Sequence, residues 1–162
     1  MNYIQDHNQD LYRRGMYVFI KRTVPPPTML IFDASNRDQC EVQRGRTNTP
    51  LQALVMMNDP HVLESSRVLA SQFSHEKGSI DEKLTRAFRR IVCRAPKEKE
   101  LAMLKKYYEA EQTSCTQNPK KVQKLMKIGE YKQDKAAVTG STAAMMLTIQ
   151  LIFNLEEAIM RV

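Results

Sequence analysis

The last third of the chain carries its clearest hydrophobic signal. Between Ala143 and Leu155 the residues are apolar on nearly every side, interrupted only by Thr148, Gln150 and Asn154. A helix apolar all round is normally the centre of a bundle. Gly140, Ser141, Ala143 and Ala144 are small enough to let neighbouring helices approach closely. The surrounding segments read as the neighbours. Leu84, Ala87, Phe88 and Ile91 recur at helical spacing behind Ser79 and Glu82, a capping box. Leu101, Leu104 and Tyr108 form the inward stripe of the next helix, with the turn at "CRAP" between, which predicts an αα-hairpin. "NPKKVQKLMKIG" predicts a short basic helix after Pro119, with Gly129 as its C-cap.

In the middle of the chain "RTNTPLQALVMMNDP", residues 46–60, is built from two helix starts. Thr49 is a natural N-cap and Pro50 suits the first helical position; Asp59 and Pro60 repeat the arrangement. The pattern predicts a short helix with Leu51, Leu54 and Val55 on its inner face. A second follows through about Phe73, with Leu63, Val68, Leu69 and Phe73 buried and Arg67 opposite. Upstream, Leu11, Gly15, Val18 and Arg22 share a side, which predicts a helix from about Ile4 to Arg22. Pro25 to Pro27 then break the chain. No period is sustained from there to Asn48, so residues 23–48 are expected to form an extended, Pro-containing arm. No strand-like alternation stands out. The expectation is one all-α domain over residues 1–162, a bundle of about six helices with this arm.

Composition narrows the classes of function. At 42% hydrophobic and 27% charged the chain is globular in character. A net charge of +7 and a pI near 9.4 raise nucleic acid as a partner. However, the bases are spread along the chain and interleaved with acids, as on solvated helix faces, which weighs against that partner. Cys40, Cys93 and Cys115 are odd in number and lack CxxC spacing. This argues against a zinc ribbon, a c-type haem attachment site and a disulfide framework. The first ten residues have no apolar leader pattern, and the longest apolar stretch is too short to cross a bilayer.

Candidate chemistry is sparse. His7, His61 and His75 sit in unrelated contexts, Glu156 and Glu157 read as a solvated helix end, and no nucleotide, zinc-hydrolase or serine-hydrolase motif occurs. The residues that stand out are Arg44, Arg46, Asn48, Asn58 and Asp59 around the two helix starts, with Cys40 in the arm. Such a cluster can tie the arm down by charge-assisted hydrogen bonds, or receive a carboxylate or phosphate. The first use is favoured.

The run from Leu11 to Pro60, "LYRRGMYVFIKRTVPPPTMLIFDASNRDQCEVQRGRTNTPLQALVMMNDP", resembles the planctomycete-type PSD domain, a domain of unknown function. "AFRRIVCRAPKEKEL" and "LIFNLEEAIMRV" look like its later signatures, which in the family usually read closer to "LGRxP" and "LNLDE". The resemblance implies that the chain is the C-terminal part of that domain, in a bacterial protein of the periplasm, cell surface or secreted fraction. It also implies upstream domains as partners, some of cytochrome c type with haem, and no cofactor in this chain. The expected role is a non-catalytic interaction or scaffold module. One alternative is a hydrolase or redox-linked domain whose site is shared with upstream residues, with Cys40, Arg46 and Asp59 lining a cleft. Another is a basic helical nucleic-acid binder.

Overall fold

The computed structural model describes residues 4, 6–21, 23–35, 42–43, 45–132 and 135–160. Its eight α-helices are α1 (Pro27–Ile31), α2 (Pro50–Asn58), α3 (Pro60–His75), α4 (Ile80–Val92), α5 (Glu98–Gln117), α6 (Pro119–Met126), α7 (Gly140–Phe153) and α8 (Glu156–Ile159). Among the described residues there is no strand, so the fold is all-α. The chain divides into two compact units, residues 1–54 and 55–162.

In the 55–162 unit the expected central helix is found. Thr142 to Met146, Thr148, Ile149 and Ile152 of α7 are buried, and α3, α4, α5, α6 and α8 all pack against the helix. Phe73 of α3, Leu84 and Phe88 of α4, Leu104 and Tyr108 of α5 and Met126 of α6 complete the core. Thr139 caps α7 through the Thr142 amide, and Thr148 returns its hydroxyl to the Ala144 carbonyl, so a polar residue sits at 0% exposure without an orphaned group. Ser79 caps α4 as its spacing predicts.

Arg67, expected on the solvent side of α3, is instead 2% exposed. The reason is the turn after α6. Arg67 Nε donates to the Ile128 carbonyl (3.0 Å) and Nη2 to that of Tyr131 (2.7 Å). One turn earlier on α3, the buried Glu64 carboxylate accepts the amides of Glu130 (2.8 Å) and Tyr131 (3.0 Å). Two charged side chains at helical spacing thus hold the 128–131 turn by its backbone, and those bonds offset the cost of burying charge. Gly129 makes this approach possible. Its φ is +90°, and a Cβ there would collide with the Glu64 carboxylate.

The opposite case is Cys93. It ends α4 at φ +63°, in the left-handed region, where the related signature "LGRxP" has glycine. A Cβ costs energy in that conformation.

The 1–54 unit departs from the sequence reading. The described residues of the expected helix 4–22 do not form one helix. They make short 3₁₀ turns at Asn8–Tyr12 and Gly15–Tyr17, the first opening on Asn8 at φ +58°. Gly15 and the aromatic and β-branched run Tyr17 to Ile20 are weak helix formers, and no buried stripe overrides them. The arm is not extended throughout either, because Pro27 takes the first position of α1, where its missing donor costs nothing. In α2, Leu51 and Leu54 are more than half exposed while Gln52 is 1% exposed. The face expected to be apolar is therefore not the buried one.

Two substitutions test these backbone positions by urea unfolding. Gly129→Ala is expected to cost about 2 kcal/mol or more, from the left-handed backbone together with the loss of Glu64's hydrogen bonds. Cys93→Gly is expected to gain about 1 kcal/mol. Equal stability of Gly129→Ala and wild type would refute the account of the turn.

Candidate functional site

The two helix starts of residues 46–60 are both capped as their residue types require. Thr49 and Gln52 form a reciprocal box: the Gln52 amide donates to Thr49 Oγ1 (3.3 Å) and the Thr49 amide to Gln52 Oε1 (3.1 Å). At the second start Asp59 Oδ1 accepts the amides of His61 (2.7 Å) and Val62 (3.4 Å).

The tie-down in the 1–54 unit is made by residues that the sequence did not mark. Gln52 Nε2 donates to the Ile31 carbonyl (2.8 Å) and to Thr47 Oγ1 (3.1 Å), and Asp33 Oδ2 accepts both the amide and the hydroxyl of Thr47 at 2.8 Å. The segment after α1 is thereby joined to the start of α2. Gln52 satisfies its whole amide group in this way, which explains how it can be buried. The signal available was the T-x-x-Q spacing, which names the cap but not the long-range bonds of the same glutamine.

The other singled-out residues fall as follows. Cys40 and Arg44 lie outside the described residues. Arg46 and Asn48 are exposed in the 1–54 unit; Asn58 is exposed at the end of α2, and Asp59 is half-buried as the α3 cap. Cys93 and Cys115 are free thiols. Cys115 is buried, which pushes its thiol pKa up and leaves it little thiolate for reaction. No group of three or more His, Cys, Asp or Glu side chains suited to a metal occurs among the described residues. No helix among them is long and apolar enough to cross a membrane.

The largest charge constellation is one that the sequence reading assigned to solvent. Arg94, just beyond α4, is bidentate to Glu100 of α5 (2.8 and 2.8 Å) and to Glu157 of α8 (2.7 and 3.0 Å). Its guanidinium also lies 4.9 Å from the centre of the Phe88 ring. Glu100 in turn accepts the Lys97 amide at 2.6 Å. Glu157 is therefore an ion-pair partner rather than a solvated helix end. The Arg94 hydrogen bonds, and then the Lys97 amide, lower the Glu100 carboxyl from 4.5 to about 2. Arg94 lowers Glu157 as well, and the two carboxylates together hold Arg94 firmly protonated.

What remains as a site is a surface. Tyr12, Met16, Tyr17, Phe19, Val24 and Leu30 are all at least half exposed. Arg14 stands 6.0 Å from the Tyr17 ring centre and reaches Met16 Sδ at 3.5 Å. Large apolar and aromatic side chains interleaved with arginine are the composition of the centres of protein interfaces.

The family model of a protein of unknown function (DUF1553) matches residues 1–108, two thirds of the 162 residues. The chain matches no curated protein and no solved structure.

The pH dependence of stability follows from Glu100. A carboxyl lowered in the folded state contributes fully above its ordinary value of 4.5, and the contribution is lost as pH falls towards about 2. Glu100→Gln is expected to lower stability at neutral pH and to flatten its decline across that window, measured by urea unfolding at a series of pH values. Parallel curves for the two proteins would show that the pair contributes nothing.

Proposed function

The chain belongs to the PSD1 family of proteins of unknown function, and from that premise we propose that it is a non-catalytic interaction module of a larger bacterial cell-envelope protein. On this proposal the 1–54 unit binds the neighbouring upstream part of the parent protein. The observation that carries the reading is the mismatch between that unit's composition and its burial. Among its described residues Gln52 is the single buried side chain, while Tyr12, Met16, Tyr17, Phe19 and Leu30 are half exposed or more. A segment of this length needs buried apolar area to remain ordered, and a unit without a core of its own obtains it from a partner.

The polar bonds of the unit fit this reading. Asp33, Thr47 and Gln52 fix the course of the backbone without burying apolar surface. They hold the aromatic segment in place for a partner that supplies the rest. The catalytic alternative placed Cys40, Arg46 and Asp59 along a cleft; Cys40 lies outside the described residues, and the Asp59 carboxylate accepts the amides of α3. An envelope location and a neighbour of cytochrome c type belong to the same proposal and rest on the family resemblance.

Calorimetric titration of this chain with the separately expressed upstream part of its parent protein tests the proposal. Tight association with a large negative heat-capacity change is expected. Phe19→Asp and Tyr17→Asp should each weaken it about tenfold or more, because burying such a side chain is worth about 1.5–3 kcal/mol. The helical circular dichroism of both variants should match wild type. The proposal is abandoned if the two parts do not associate, or if both variants associate as wild type does.

A further inference from the structure

The 55–162 unit carries a half-open cavity of about 180 Å³ where the C-terminal end of α3, the start of α4, the middle of α5 and the start of α7 meet. We propose that this cavity is a binding site for a small monocarboxylate with a short apolar tail, a proposal independent of the interaction surface on residues 1–54. Three observations converge on it.

The first is Tyr108. The residue is 92% buried, at 8% exposure, and lines the cavity. Its hydroxyl bonds to no group among the described residues, yet it is not sealed in the core. A tyrosine hydroxyl at such a depth ordinarily has a partner. Here the cavity is where a partner can reach it.

The second is the charge. Lys83, half-buried on the first turns of α4, lines the same cavity and has no ion pair among the described residues. Its neighbours are engaged elsewhere: Asp81 pairs with Lys105, and Arg86 with Glu76. Ser141 and Thr142, on the first turn of the fourteen-residue α7, line the cavity too. Thr139 Oγ1 takes the Thr142 amide, which leaves the Gly140 and Ser141 amides without an acceptor in the helix. The Thr142 hydroxyl is bonded to that of Thr139 (2.8 Å), so the groups left for a ligand are the Lys83 ammonium, the Ser141 and Tyr108 hydroxyls and the helix N-terminus, which together suit one anionic head group. At the rim, beside Gly78, stand the Glu82 carboxylate and the Arg86 guanidinium, the latter paired with Glu76, so Lys83 is the cation the cavity itself offers to an anion.

The third is the remainder of the lining. Phe73, Ile80 and Met145 give the cavity an apolar wall. An inorganic tetrahedral anion would leave that wall unfilled. At roughly 30 Å³ for each water-sized group, the space admits about six heavy atoms, the size of butyrate.

The test is an amide-resolved NMR titration of the full chain with sodium butyrate, and with sodium sulfate and 1-butanol in parallel. Saturable millimolar binding of butyrate is expected, with the largest shifts at Lys83, Ser141 and Thr142 and weaker binding of both controls. Lys83→Gln should weaken butyrate about tenfold. Tyr108→Phe should weaken it several-fold while leaving the thermal midpoint unchanged, a separation that a purely structural tyrosine would not give. The proposal fails if no saturable shift appears, if the shifts map away from the cavity, or if sulfate binds better than butyrate. It fails equally if both variants bind butyrate as wild type does.

Discussion

A helix without a polar face has to be walled in on every side, and α7 imposes that requirement on the whole 55–162 unit. Its residues from Thr142 to Ile152 are almost all buried, and α3 and α5 cover most of it, with α4, α6 and α8 closing the rest. Each covering helix then needs only one apolar stripe of its own. This explains why α4, rich in bases and acids, still belongs to the core through Leu84, Ala87 and Phe88. The hydrophobic effect sets which elements gather but not how their ends join. That second task falls to charged side chains bonded to backbone or to one another.

Two such joints carry it. Glu64 and Arg67 on α3 grip the 128–131 turn by four bonds to its backbone, and Arg94 gathers the end of α4, the start of α5 and the start of α8. The second joint gives physical content to two separate stretches of the sequence. "CRAP" and "NLEE" lie 63 residues apart at Arg94 and Glu157, and they are the two halves of one bidentate ion pair. Glu100 serves the start of α5 twice over: one carboxylate both accepts the Lys97 amide and holds the Arg94 guanidinium. Removing either partner would leave a partly buried charge to be resolvated, so the joint acts more as a geometric lock than as a large net source of stability.

Most of the 55–162 unit was legible in the sequence because periodicity and caps act locally. Ser79, Asp59 and Pro119 hold the positions that their residue types imply, and the apolar stretch 143–155 yielded the central helix; Gly129 does not cap α6, whose C-cap is Lys127, but takes a left-handed backbone two residues further on. What escaped was non-local or rested on an average. Arg67 and Glu157 were assigned to solvent because charge usually is, and nothing within a helical turn of either points to a partner more than 60 residues away. Thr49 was legible as a cap, but Gln52 was not legible as the hydrogen-bond hub of the arm. Residues 4–22 failed for the converse reason. Their apolar spacing resembles a helical face, but a face makes a helix only where something covers it.

That failure and the exposure of Tyr12, Phe19 and Leu30 have one physical origin. Where α7 supplies a surface to pack against, sequences of modest propensity become long helices, as α4 and α5 do. In the 1–54 unit no buried apolar surface plays that part among the described residues, and the chain falls back on local devices: 3₁₀ turns, a proline-started α1, and the hydrogen bonds of Asp33 and Gln52. Such devices fix direction but contribute little free energy against chain entropy. A partner that covered the aromatic segment would therefore do more than add contact area. It would supply the apolar burial that these hydrogen bonds do not provide.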